Sequence, residues 1–216
     1  MKKHHRITME TYKKTFVDSV NLYKRSDIEL NFIDKILSII DINWVIFEIW
    51  SYIWEDSIYI YNKWYNIIAT DNFDESINFM RNKFYEKFDI EIKKFDLNYD
   101  IDNLYEIVKL YWIKTIIAKQ VFQHFNEKEL LNIISSIYQN LEAWSVLAFT
   151  LEHRPLTDNY KTTFYWTEIW MKRFAFHHNR RKLNQIISKQ WRKILYEEFA
   201  EFAHNDYQQL VILKKI

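Results

Sequence analysis

The 216-residue chain has no glycine, no cysteine and a single proline, Pro155, yet it carries nine tryptophans. Without cysteine there is no disulfide, no thiolate metal site and no cysteine nucleophile. Without glycine, positive backbone φ loses its cheapest residue, so tight primed hairpins become costly and helix C-caps pass to Asn, Asp or His. Helices are therefore expected over sheets. The same absence excludes, at the level of motifs, the P-loop, the Rossmann Gly-x-Gly-x-x-Gly loop, the kinase phosphate loop and the Gly-x-Ser-x-Gly nucleophile elbow.

Glycine and tryptophan are linked through their codons, GGN and UGG, which are both rich in G. A genome too A+T-rich to use GGN ought to avoid UGG as well, so nine tryptophans imply a code in which UGA is read as tryptophan. The abundance of Ile, Lys, Asn, Tyr and Phe agrees with such a bias.

Charge of either sign is not lacking overall: 30 basic against 29 acidic residues leave a net charge of +1, unlike the uniform positive field of a typical nucleic-acid binder. The charges are segregated, however. Residues 1–25 hold seven bases and two acids, residues 26–170 hold 13 bases and 23 acids, and residues 171–196 hold eight bases and no acid. The N-terminus has no apolar stretch of signal-peptide type, so no targeting segment is expected. The longest apolar stretch, 130–151, is interrupted by Glu142 and several amides and hydroxyls, so no transmembrane span is expected.

Because codon supply inflates the β-prone residues, periodicity outranks propensity. Leu104, Ile107, Val108, Tyr111, Thr115, Ala118 and Phe122 step by three or four, as do Leu130, Ile133, Ile134, Ile137, Leu141 and Trp144. Leu183, Ile187, Trp191, Ile194, Leu195, Phe199 and Phe202 form a third stripe. Ser26 with Glu29, Asn72 with Glu75 and Asn126 with Glu129 have capping-box spacing. The expectation is an all-α chain of about eight amphipathic helices in an irregular bundle, near 8–24, 27–40, 42–69, 73–87, 102–124, 127–150, 159–177 and 180–204. One segment, 88–101, alternates at period two and reads as extended or a small hairpin. It would divide an N-terminal helical half, 1–88, from a C-terminal half, 102–216.

The acid-free basic stretch is the most distinctive local feature. Arg180, Arg181, Lys182, Lys189, Arg192 and Lys193 would lie on one helix, opposite an apolar stripe, where they could hold an acidic protein surface, rRNA phosphates or anionic lipid. Glu201 and His204 have the Glu-x-x-His spacing of helical di-iron sites, but no second copy accompanies them, so no metal is expected. No cofactor is expected either. Trp44, Trp50, Trp54 and Trp64 crowd one segment with Tyr52, Tyr59, Tyr61 and Tyr65, more rings than a core of this size needs, which points to interfaces.

Arg173 and His178 stand as Arg-x4-His, and this pair resembles the short motif of HEPN-type all-helical ribonucleases. The resemblance implies phosphate binding by Arg173 and metal-free RNA cleavage aided by His178. In composition the chain resembles the lineage-specific reading frames of ciliate mitochondrial genomes. That likeness implies a non-catalytic structural subunit of a large mitochondrial assembly, a respiratory-chain complex, ATP synthase or the mitochondrial ribosome, with its other subunits as partners. The place implied is the matrix or the periphery of the inner membrane, with the cytoplasm of a mycoplasma-like or symbiotic bacterium as the alternative.

Overall fold

In a computed structural model, described for residues 10, 27–52, 54–84, 87–153, 160–165, 172–177, 187–188, 191, 193–202 and 206–216, the chain is an α/β protein. Its centre is a seven-stranded mixed sheet. In chain order the elements are α1 (Asp27–Leu37), β1 (Val45–Glu48), α2 (Glu55–Asn62), β2 (Asn66–Asp71), α3 (Asp74–Phe84), β3 (Glu91–Lys94), α4 (Leu104–Tyr111), β4 (Ile113–Ala118), α5 (Glu127–Asn140) and β5 (Val146–His153). Strands β6 (Tyr160–Tyr165), β7 (Lys172–His177), β8 (Lys193–Phe202) and β9 (Asp206–Lys214) follow. The sheet runs β3-β2-β1-β4-β5-β9-β8, while β6 and β7 form a separate antiparallel hairpin. Strands β3, β2, β1, β4 and β5 are mutually parallel, and β9 and β8 close the far edge antiparallel.

The all-α expectation is thus overturned, and the reason lies in the burial of the sheet. Ile46, Ile67, Ile117, Ala148 and Ile212 pack on one face against Phe32, Ile33 and Ile36 of α1. Their neighbours Phe47, Ile68, Ile116, Leu147 and Val211 pack on the other face, against Leu104 and Val108 of α4 and Leu130, Ile134 and Ile137 of α5. A parallel strand covered on both faces has no polar side, so it reads as a continuous apolar run that a 3.6-residue period can also match. The stripe begun at Leu104 therefore continues past the end of α4 into Thr115 and Ala118 of β4. Likewise 42–69 holds β1, α2 and β2, and 127–150 holds α5 and the start of β5. Within 88–101, β3 pairs with β2 in parallel register instead of turning back as a hairpin. The expected helices over 159–177 and 180–204 contain β6, β7 and β8, and the expected helix over 8–24 lies outside the described residues apart from residue 10.

Positive φ, expected to be avoided, is used seven times among the described residues: Trp50 (55°), Tyr52 (52°), Trp54 (44°), Trp64 (68°), Trp112 (55°), Gln120 (55°) and Trp144 (72°). The turns of this fold need the left-handed region whether or not glycine is there to supply it. Of the three capping boxes, Asn126 shows both arms: its side chain accepts from the Glu129 N–H, and the Glu129 carboxylate accepts from the Asn126 N–H. Among the described residues no helix is long and apolar enough to cross a membrane.

Candidate functional site

The strand order reverses direction between β1 and β4: from β1 the chain builds outward through β2 and β3, then returns to β4 and β5 on the other side. In open α/β sheets ligands bind in the crevice beyond the carboxyl ends of the strands at such a point. Here that crevice is framed by the β1–α2 loop, by Asp71 and Asn72 after β2, by Phe95 and Asp96 after β3, and by the turn 119–125 after β4.

The β1–α2 loop is stitched into place from its first residue. The Ile49 N–H donates to the Ile117 carbonyl (2.8 Å) and the Ser51 N–H to the Thr70 carbonyl (2.6 Å), extending the ladders of β1 toward both neighbours. Thr70 Oγ1 donates to the Glu48 carbonyl at 2.7 Å. The loop then makes three left-handed turns at alternate residues, Trp50, Tyr52 and Trp54, before α2 begins.

Asp71, at the end of β2 and 1% exposed, organises the loop. Its Oδ2 accepts from the Tyr52 N–H (2.9 Å) and from Ser76 Oγ (3.1 Å), and its Oδ1 accepts from the Phe73 N–H (3.0 Å). The single Ser76 hydroxyl proton is shared between Asp71 and the nearer Tyr52 carbonyl (2.7 Å), so the N–H and the C=O of Tyr52 are both held. Burial pushes the Asp71 carboxyl up to about 7, against the opposing pull of these donors.

A second buried acidic group lies beside it. Glu48, at the end of β1, accepts a very short hydrogen bond from Ser57 Oγ, and burial followed by the Asp56 charge pushes its carboxyl up to about 7. Lys119, just past β4, bridges Glu29 Oε1 (3.1 Å) and Asp56 Oδ2 (2.5 Å), tying α1, α2 and the strand-end turn together. Among the described residues no group of three or more His, Cys, Asp or Glu side chains could hold a metal ion.

The Trp50 indole lies across the crevice. Its Nε1 donates to the Phe95 carbonyl (3.2 Å), and its ring stacks obliquely on Phe125 (5.6 Å between centroids) and His124 (6.3 Å). The ring thus reaches from the end of β3 to the turn after β4, over the ends of the strands between them. A cavity of about 630 Å³ opens instead toward the amino ends of β1, β2 and β3, lined by Val45, Tyr65, Asn66, Arg81, Glu91 and Tyr111 among others.

The residues singled out in sequence fare differently. Arg173 is in strand β7, opposite Phe164 of β6, and not on a helix; His178 lies outside the described residues. Lys193 opens β8 opposite Lys214, while Arg180, Arg181, Lys182, Lys189 and Arg192 lie outside the described residues. The helix expected over 180–204 does not run to its expected end, since β8 occupies 193–202; of 180–192, only 187–188, which are helical, and 191 are described. Glu48 and Asp71 were missed. Their signal is an apolar run ending in a carboxylate, Val45–Glu48 and Ile67–Asp71, each followed within a few residues by a helix.

The sequence matches no protein family and no curated protein. Solved structures do match. The chain is similar to a Burkholderia thailandensis 1,6-didemethyltoxoflavin-N1-methyltransferase with bound S-adenosylhomocysteine, at a TM-score of 0.71 and 6% identity over 100% of this chain and 91% of that one. It is similar to a Synechocystis magnesium protoporphyrin IX methyltransferase with bound S-adenosylmethionine, at 0.66 and 12% over 100% and 99%. It is also similar to a [4+2]-cyclase, at 0.68 and 9% over 98% and 95%. The fold is that of these Rossmann-like enzymes. The expected non-catalytic subunit and its HEPN-like alternative are corrected accordingly: the first meets a fold shared with methyltransferases, the second presupposes an all-helical chain, and the motif-level exclusion of Rossmann-like sites does not extend to the backbone that carries them.

Proposed function

We propose that the chain is a methyltransferase that takes S-adenosylmethionine in the crevice at the β1/β4 switch point. The observation that carries the reading is the β1–α2 loop. Three left-handed residues at alternate positions aim a run of backbone at the strand ends, and Asp71 clamps the middle one. A loop of this form lets the main chain approach a nucleoside closely, which is what glycine does in other nucleotide-binding crossovers. The Burkholderia thailandensis and Synechocystis methyltransferases hold S-adenosylhomocysteine and S-adenosylmethionine, respectively. S-adenosylmethionine supplies an electrophilic methyl group; the chain supplies the crevice and the orientation.

The side chains at this loop do not fit that cofactor. Trp50 fills the crevice, and Cβ atoms at 50, 52 and 54 thicken the backbone that the nucleoside would have to approach. Hairpin β6–β7 lies with β7 beside the short turn Phe122–His124 after β4.

The test is a Trp50→Gly variant incubated with radiolabelled S-adenosylmethionine under ultraviolet light. Covalent labelling that S-adenosylhomocysteine competes away is expected. A folded variant that takes no label overturns the reading.

A further inference from the structure

Among the described residues, five of the seven positive-φ positions are tryptophan, in a chain that contains no glycine. Positive φ is rare outside glycine and is concentrated in Asn, Asp and His; a bulky aromatic there is an outlier. One such residue could be a local accident, but five in one chain are a pattern, and two of them stand where the local hydrogen bonding specifies glycine. Trp64 ends α2 in a Schellman motif: its N–H donates to the Tyr61 carbonyl (2.8 Å), and the Tyr65 N–H reaches back to the Ile60 carbonyl (3.4 Å). It therefore stands at the C′ position, where glycine is the usual residue. Trp112 ends α4 in the simpler left-handed motif, its N–H donating to the Val108 carbonyl, again a glycine position. Trp144 turns the chain into β5 with its N–H on the Lys215 carbonyl at 2.7 Å. Trp50 and Trp54 bracket the β1–α2 loop.

Trp50 and Trp54 pack their rings, Trp54 being buried with Ile77 and Met80, but at the other three positions the ring gives little reason to be there. Trp64, Trp112 and Trp144 are 85%, 73% and 59% exposed. The other two positive-φ residues differ in kind. Tyr52 is held by Asp71 and Ser76, and the Gln120 N–H donates to Thr150 Oγ1 (2.7 Å) while its side-chain amide donates to Glu29 (3.2 Å).

We propose that Trp50, Trp54, Trp64, Trp112 and Trp144 are positions at which the cell inserts glycine, UGA being a glycine codon in this gene. UGA differs from the glycine codon GGA by one base and contains one G fewer, so an extreme A+T bias favours it. This reading removes both compositional anomalies at once, the missing glycine and the surplus tryptophan. It also removes the misfit of the crevice, since glycine at 50 and 54 leaves bare backbone where the indoles now stand. The assignment rests on backbone geometry alone and is independent of what the crevice binds.

Two measurements decide it without any ligand. Peptide mass spectrometry of the protein made in its own cells is expected to give, at each of the five positions, the mass of glycine; tryptophan masses or UGG codons at those five positions overturn the proposal. A recombinant chain carrying glycine at the three exposed positions, 64, 112 and 144, is expected to melt on the order of 10 °C above the chain with tryptophan there. An equal or lower melting temperature also overturns it. Failure of S-adenosylmethionine labelling in a chain whose peptides read as glycine would sink the functional reading and leave the glycine assignment standing.

Discussion

Trp64 exposes nearly all of its ring while its backbone holds φ at 68°, so the indole contributes little packing and its Cβ is in steric conflict with the adjacent carbonyl. Trp64→Gly is therefore expected to stabilise the chain by about 1 kcal/mol, read as a rise of about 2–4 °C in a thermal melt. Asp71 is the opposite case, a buried side chain with nothing to spare. Asp71→Ala strands the Tyr52 and Phe73 N–H groups, and a loss of about 2–5 kcal/mol is expected in denaturant unfolding. The two raised carboxyls set a pH dependence. Asp71 and Glu48 titrate near 7 when folded and near the ordinary carboxylate range when unfolded, so between those values the native state binds more protons. Their contribution to stability is fully present below the unfolded value, is lost as pH rises through about 7, and is level above it. Glu48→Gln, which still accepts from Ser57, is expected to flatten the Glu48 part of that decline in melts run from pH 5 to pH 9.

At the scale of elements, α5 shows what sequence could give. Its apolar stripe and its Asn126/Glu129 box both appear in the structure, and Asn126→Ala is expected to cost about 1 kcal/mol in chemical unfolding. Helices α1 and α3 were legible at their starts, from the capping-box spacing of Ser26 with Glu29 and of Asn72 with Glu75. The strands were not, for two physical reasons. Ile46 and Phe47 on β1, or Ile116 and Ile117 on β4, face opposite layers that are both apolar, so the period of two has no polar partner to mark it. The turns between strand and helix were also invisible, because their usual signal is glycine and tryptophan stands in five of those places. The candidate site was lost with them. Glu48 and Asp71 are placed by strand ends, and without the strands Glu48 reads as a helix-surface acid and Asp71 as a residue between two helices.

For the whole molecule, each left-handed non-glycine residue costs about 1–2 kcal/mol, so the seven together weigh about 7–14 kcal/mol, as much as the net stability of an ordinary domain, about 5–15 kcal/mol. A chain of this fold carrying all seven is marginal, and glycine at the five tryptophan positions relieves most of the cost. The same substitution opens the crevice over β1 and β4. The proposed S-adenosylmethionine site has a β1–α2 loop whose left-handed backbone suits glycine. It is tested most directly by calorimetric titration of S-adenosylhomocysteine into the chain with glycine at 50, 54, 64, 112 and 144. Saturable one-to-one binding is predicted, abolished by Asp71→Ala and absent from the chain with tryptophan at those positions; a folded glycine form that takes up no ligand would contradict the account.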